Sequence, residues 1–300
     1  MTNSPTFMEA FSRLIAAPSV SSIDPLYNQS NREVAEMLAN WFADLGFSTE
    51  LQLVSSNPDK LNMIACLGQG DGGLVLSGHT DTVPYNEKLW MQDPLKLLEK
   101  DNKFYGLGST DMKSFFPIIL AALEKIDLEK LNRPLYILAT SDEESTMAGA
   151  KALVSSERAL GRHALIGEPT GLKPINMHKG ILVETIKLTG SSGHSSDPDF
   201  GVNALEGMHT VISSLMKLRE EIQAQHKNPL FKVPVPTMNF ASIQGGDNPN
   251  RICENCELTI DMRMLPSMDL NDCRAAIRRN VMQAIDGRRL KVEFDQVFAG

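Results

Sequence analysis

Long apolar runs are missing from this sequence. The longest, Phe115 to Leu123, is interrupted by Pro117 and falls well short of the roughly 18 residues a bilayer helix needs, so no membrane span is expected. Basic charge is also short: 29 Lys plus Arg stand against 37 Asp plus Glu, a net charge of −8. No segment gathers Lys and Arg into a stripe, which argues against nucleic acid as a partner. Cysteine is scarce, with four residues (Cys66, Cys253, Cys256 and Cys273) in 300. That is too few for a disulfide scaffold and fits a reducing cytosol. Cys253 and Cys256 have C-x-x-C spacing, but no second pair follows, so a structural zinc or redox role is the minor reading. The start, Met1 to Phe11, lacks a basic head and an apolar core. A signal peptide is therefore not expected, and a cytoplasmic location is.

What is present is an ordinary folded composition, 42% hydrophobic and 22% charged, in a length that accommodates about two domains. Ser30 to Gly46 reads as a helix, with Ser30 and Glu33 as a capping box and Val34, Met37, Leu38, Trp41 and Leu45 on one face. Strands are expected at Glu50 to Val54, Met63 to Leu67, Leu74 to Ser77, Leu135 to Thr140 and Ala164 to Gly167, with helices at Met112 to Ile126 and around Gly149 to Val154. This alternation predicts an α/β fold, a mainly parallel sheet sandwiched by helices. The texture changes near residue 180. Beyond it the elements run strand (Ile181 to Leu188), helix (Asn203 to Gln225), two strands (Thr237 to Ile243, Cys256 to Met262), helix (Leu270 to Ile285) and strand (Leu290 to Phe294). That order is the ferredoxin-like α+β arrangement. Leu205, Met208, Ile212, Leu215, Leu218 and Ile222 form the apolar stripe of the longer helix.

Polar residues gather directly behind the predicted strands. His79 and Asp81, two apart, follow one strand and share a side. Taken alone, a structural His beside an Asp and a metal ligand with its orienting acid are equally good readings. Asp111 follows two glycines at the head of the Met112 helix, where a helix cap is the simplest role. Glu143 and Glu144 follow Thr140, and Glu168 follows Gly167. Ligands of open α/β sheets bind beyond the carboxyl ends of the strands, so His79, Asp81, Asp111, Glu143, Glu144 and Glu168 are expected to converge. Five carboxylates in one cleft repel unless cations neutralise them. A His with several oxygens suits a pair of zinc-like ions, which predicts a two-metal hydrolase.

These residues, with His178-Lys-Gly180, Gly193-His-Ser-Ser-Asp-Pro198, Gly245-Gly-Asp, Asn250-Arg-Ile-Cys253 and Asp261-Met-Arg263, resemble the dinuclear metallo-amidohydrolases of the M20 peptidase family. The similarity runs along essentially the whole chain and is strongest to members that deacylate amino acids. It implies a metal-binding catalytic domain at residues 1–180 and an inserted lid and dimerisation domain at 181–295. It implies two divalent ions, zinc or cobalt, bridged by Asp111, with His79 and Glu168 completing one site and Glu144 serving the other. Glu143 would be the general base and then the acid, and Asp81 would hold His79 through a hydrogen bond. His194 would reach from the lid into the partner protomer's active site to steady an oxyanion. Asn250 and Arg263 would be the substrate-binding pair for a small N-acyl amino acid, Arg263 as a fork for its α-carboxylate with Lys179 as a weaker candidate for the same task. The implied assembly is a homodimer through the lid.

Family members continue beyond the lid with a last piece of the catalytic domain that supplies a final His beside Glu144. No run around His163, His178, His209 or His226 resembles that motif. The resemblance therefore implies a catalytic domain whose C-terminal part lies outside these 300 residues, and leaves turnover by them alone an open expectation. Two alternatives stay open: a sibling hydrolase such as a succinyl-diaminopimelate desuccinylase or a dipeptidase, and a non-catalytic metal-binding, dimerising protein.

Overall fold

The computed structural model describes residues 5–299 except 57 and 159. The chain divides into two compact units, Met1–Pro174 and Ile175–Gly300. No helix among the described residues is long and apolar enough to cross a membrane.

The first unit opens with α1 (Phe7–Ala16), which the sequence reading does not anticipate. Its start is a capping box: Thr6 Oγ1 accepts from the Glu9 N–H at 3.4 Å while Glu9 Oε2 accepts from the Thr6 N–H at 2.8 Å. Helix α2 (Arg32–Asp44) buries Val34, Met37, Leu38 and Trp41 as expected. Its start differs from the expected Ser30 capping box, because the Ser30 hydroxyl donates instead to the Asp59 carbonyl (2.8 Å). Asn31 holds the N-cap position without a side-chain cap bond. Its buried amide bonds Leu61 both ways, Oδ1 accepting from the N–H and Nδ2 donating to the carbonyl, each at 2.8 Å, and Nδ2 also donates to Thr80 Oγ1 at 2.7 Å. Asn31→Ala strips partners from a buried backbone N–H and C=O. We expect it to lower stability by about 2–5 kcal/mol, read as a fall in the urea midpoint at constant slope.

Strands β1 (Ser48–Ser56), β2 (Asp59–Leu67) and β3 (Leu74–His79) are followed by the small hairpin β4 (Leu98–Lys100) and β5 (Lys103–Tyr105), then α3 (Phe115–Leu123), β6 (Leu135–Thr140), α4 (Ala148–Ser155) and β7 (His163–Ile166). The main sheet has the order β1-β2-β6-β3-β7. It is mixed where a mainly parallel sheet is expected: β3 runs parallel to β6 and β7, while β2 is antiparallel to both β1 and β6. The reason is connection length. Only two residues separate β1 from β2, too few for anything but antiparallel pairing, whereas the long crossovers through α3 and α4 permit parallel pairing.

Period-two burial separates the two faces of the sheet. Leu61, Met63 and Ala65 of β2 and Leu135, Ile137 and Ala139 of β6 join a core with residues of α1, α2 and α3. On the other face Ile64, Val75 and Leu138 pack with Leu153 of α4. Because β3, β6 and β7 are parallel, their carboxyl ends at His79, Thr140 and Ile166 lie along one edge.

The second unit comprises β8 (Gly180–Thr189), α5 (Ala204–Gln225), β9 (Thr237–Gly245), β10 (Asn255–Met264), α6 (Leu270–Ala284) and β11 (Lys291–Ala299). Its sheet order, β11-β8-β10-β9, is antiparallel throughout, as a ferredoxin-like connectivity requires. Alternate residues Cys256, Leu258, Ile260, Met262 and Met264 of β10 pack with Met208, Val211 and Leu215 of α5 and Ile277 and Val281 of α6. Leu205, expected on the buried stripe, is 46% exposed, and Val211 is the buried neighbour instead. Asn203 caps α5, its Oδ1 accepting from the N–H groups of Leu205 and Glu206. In the same core Glu184 is fully buried and accepts from Arg278 Nε at 3.0 Å. Cys256 is buried too, and burial pushes its thiol up to about 11. Cys253 Sγ donates to the Asn255 carbonyl at 3.2 Å, and no candidate metal group among the described residues includes a cysteine.

Candidate metal centre

The sheet edge delivers its polar residues to one place. His79, the last residue of β3, is 1% exposed, and its Nδ1 lies 3.0 Å from the backbone carbonyl of Asp81. A carbonyl can only accept, so Nδ1 carries the proton and Nε2 of the neutral ring presents a lone pair. That lone pair faces acids: Nε2 is 2.9 Å from Asp111 Oδ1, 3.8 Å from Glu168 Oε1 and 3.9 Å from Glu143 Oε2. Lone pair against carboxylates is repulsive unless a proton or a cation lies among them.

Each acid arrives by its own route. Glu168 follows β7 through Gly167, where a Cβ would overlap the Phe115 ring. Asp111 sits in the turn after Gly108, whose φ of +79° favours glycine. It does not cap a helix as the sequence suggests, because α3 begins at Phe115 with Ser114 at its N-cap. Lys113 anchors that turn, its Nζ donating to the Leu14 and Ala17 carbonyls at the end of α1 (3.0 and 2.7 Å), while burial pushes its ammonium down to about 7. Glu143 and Glu144 sit in the turn after β6, and the Glu144 N–H donates to Asp81 Oδ2 at 3.0 Å.

Asp81 therefore holds His79 by its main chain, its carbonyl accepting from Nδ1. The carboxylate Oδ1 stands 3.6 Å from Nδ1 and has no hydrogen-bond partner. The side chain is spent on the Glu144 turn.

Two groups of ligand atoms lie within 4.8 Å of one another: His79 with Glu143 and Glu168, and His79 with Asp111 and Glu144. Burial raises the carboxyls of Glu143, Glu168 and Asp81 above their ordinary values, with neighbouring acids adding to the effect on both glutamates. Burial and then Asp111 push Glu144 up to about 7. Burial alone would depress the His79 imidazolium, but the charges of Asp81, Glu143, Asp111 and Glu168 outweigh it and raise its pKa. One imidazole nitrogen among four carboxylates is a donor set that fits zinc-type ions. His79 Nε2, which lies 2.9 Å from Asp111 Oδ1 with Glu143, Glu144 and Glu168 nearby, is the point at which a cation can take the place of a proton.

The other expected site residues belong to the second unit, which separates them into two pairs. His194 and Asn250 line a cavity of about 320 Å³ with Ser192, Gly193, Asn248 and Arg251. The Ser195 N–H donates to the Asn250 carbonyl at 3.0 Å, and His194 Nδ1 accepts from the Ser196 N–H at 3.2 Å, which leaves Nε2 as the protonated nitrogen. This pair flanks the β10 end where Asn255 faces Thr189. Arg263 and Lys179 are at the opposite end, where Arg263 faces Ile181 and Met264 faces Gly180. The Arg263 fork is filled by Asp261, Nε to Oδ1 at 2.8 Å and Nη2 to Oδ2 at 3.1 Å. Lys179 Nζ donates to the Val235 carbonyl at 2.6 Å.

Sequence reading missed Lys60, Asn62 and Asp142, which support the Glu143 turn. The available signal was the pair of polar residues at alternate positions, Lys60 and Asn62, leading into an apolar strand.

Comparison with known proteins follows the same outline. A family model described as the peptidase dimerisation domain matches residues 176–287, and one described as peptidase family M28 matches residues 62–226. The acetylornithine deacetylase of Pasteurella multocida is 51% identical over 272 residues, covering 91% of this chain and 71% of that protein. That of Pectobacterium carotovorum is 53% identical over 270 residues, covering 90% and 70%. Among solved structures, an M20 family metallo-carboxypeptidase from Sulfolobus solfataricus has a TM-score of 0.74 at 15% identity, over 96% of this chain and 78% of that one. A dinuclear metal binding peptidase of the M20 family from Bacillus subtilis has a TM-score of 0.60 at 14% identity, over 98% and 74%.

Proposed function

Since the chain belongs to the acetylornithine deacetylase family of M20 metal-dependent hydrolases, we propose that it cleaves N2-acetyl-L-ornithine to ornithine and acetate, a step of arginine biosynthesis. The observation that carries this reading is His79, whose Nε2 faces two groups of acids that share it. His79 and Glu168 would hold one ion and Glu144 the other, with Asp111 serving both. Bound there, two divalent ions, zinc or cobalt, supply a Lewis acid for the amide carbonyl and lower the pKa of water.

The remaining chemistry belongs to the chain. Glu143, half-buried and close to His79, takes the proton from the attacking water and returns it to the leaving amine. Asp81 fixes the His79 tautomer from behind. In the second unit, His194 keeps a proton on Nε2 and would offer a hydrogen bond from it to the developing oxyanion across a homodimer, a pairing supported by the match to a dimerisation domain. Asn250 and Arg263 are the candidates for holding the substrate, with Arg263, and more weakly Lys179, for its carboxylate. Arg263 already holds one carboxylate in bidentate geometry, so binding would exchange Asp261 for the substrate.

Initial rates on N2-acetyl-L-ornithine and N-succinyl-diaminopimelate test the proposal. They are measured with zinc and with chelator, on the 300 residues and on the longest reading frame that contains them. The expected result is a zinc-dependent preference for the first substrate. A clear preference for the second overturns the substrate, and metal binding without cleavage of either overturns the activity.

A further inference from the structure

Strand β2 contributes no acid to the metal centre, yet two of its side chains reach the turn that does. Lys60 is 1% exposed, and its ammonium faces Asp142 Oδ1 at 2.7 Å. Two residues on, and so on the same side of the strand, Asn62 Oδ1 accepts from the Ser141 N–H at 3.1 Å and Nδ2 donates to the Gly149 carbonyl at 2.8 Å. Asp142 has a φ of +55°, a left-handed conformation that a residue with a side chain adopts only where its surroundings dictate it. Those surroundings are Lys60 and the Ser21 hydroxyl, which donates to the same carboxylate oxygen at 2.8 Å and also contacts Ser145 Oγ. The Asp142 carbonyl accepts from the N–H groups of Thr146 and Met147. Glu144 is pinned in turn by Asp81. Glu143 thus lies between residues fixed on either side, with its carboxylate facing His79.

A buried ion pair is weak grounds for stability, because well-packed apolar residues of similar volume often do as well or better. What this pair supplies is direction: the left-handed turn at Asp142 sets where the chain points as it enters Glu143 and Glu144. We propose that Lys60 is a positioning residue, acting through Asp142 to aim the Glu143 and Glu144 carboxylates into the metal centre. This inference rests on the reading of those two glutamates as the acids of the site.

Three forms of the protein test it: the parent, Lys60→Met, and the charge-balanced Lys60→Met/Asp142→Asn, in which the amide oxygen that replaces the carboxylate can still accept from Ser21. Each is followed by thermal midpoint, by visible absorption during cobalt titration, and by kcat and KM on N2-acetyl-L-ornithine. Lys60→Met strands a buried charge and is expected to lose stability. The double variant is expected to regain a midpoint close to the parent's, yet to bind cobalt about 10–100-fold more weakly, with kcat down by a similar factor and KM little changed. A double variant that regains the midpoint together with parental cobalt affinity and kcat overturns the proposal, since Lys60 would then only fill space. If Lys60→Met does not fold, the double variant carries the comparison alone. If the parent binds cobalt but cleaves no acetylornithine, the substrate assignment fails while the cobalt titration still decides for or against Lys60. A parent that binds no cobalt overturns both.

Discussion

Glu143→Ala is expected to lower kcat on N2-acetyl-L-ornithine by about 10²–10⁴-fold, the range that a positioned general base supplies. Binding should change far less. Glu143 Oε2 stands 3.9 Å from His79 Nε2, close enough to serve reacting atoms beside the ligands. Its carboxyl is raised by burial first and by Asp81 and Asp111 after it, against the opposing charge of His79, which suits a group that must take a proton and later release it. Metal content by atomic absorption and KM should stay near parental values in the variant. Glu144→Ala should behave differently, since its carboxylate shares a group with Asp111 and His79. There the loss should appear first in zinc affinity, and saturating zinc should recover part of the rate. Equal kinetic behaviour of the two variants would show that base and ligand have been assigned to the wrong glutamates, and a Glu143 variant within about 3-fold of the parent would remove the base altogether.

The second large effect concerns stability. Stripped of metal, the protein is expected to become less stable as pH rises from about 4.5 towards 7, the window between the ordinary Glu144 value and its raised one. Glu143, Glu168 and Asp81 are raised in the same sense. Each of these carboxyls retains its proton in the folded chain at pH values where the unfolded chain has released it. Folding is therefore favoured below the window and weakened across it. His79 adds to the trend, because its raised pKa contributes stability at low pH that is lost as the pH climbs past the folded value. Zinc at a thousand times its dissociation constant should return about 4 kcal/mol. For a unit of this size that is a rise of roughly 8–16 °C in the thermal midpoint. Scans at pH 5, 6 and 7.5 with chelator and with zinc make the measurement. A metal-free midpoint that climbs over this range would mean that the acids are not clustered as described.

The convergence of His79, Asp111, Glu143, Glu144 and Glu168 was legible because each acid or imidazole stands directly behind an apolar strand or a pair of glycines, and strand ends in an open sheet share an edge. The connectivity of the second unit was legible for a similar reason, since the alternation in β10 and the long helical stripe of α5 are local patterns. What escaped was set by contacts distant in sequence. Ser30 carries a good capping signal, but Asp59 takes its hydroxyl and Asn31 is drawn to Leu61. Lys60 looks like a surface lysine until Asp142 is brought beside it. The antiparallel β1 and β2 carry the same apolar signature as parallel strands, so direction had to come from the length of the turn. Arg263 offers a fork for a carboxylate, and the one that fills it is two residues away in the same strand, a spacing that puts both side chains on one face.

Asp81 touches both ligand groups at once, through its carbonyl to His79 and through Oδ2 to the Glu144 N–H, and His79 itself belongs to both. A titration of this centre accordingly has no two independent steps to resolve. Filling the His79 position fixes, through Asp81, the Glu144 turn that the other position needs, so ordering is already complete when the next ion arrives. The isotherm should steepen beyond a simple hyperbola, and partially loaded protein should be rarer than chance assortment of ions would give.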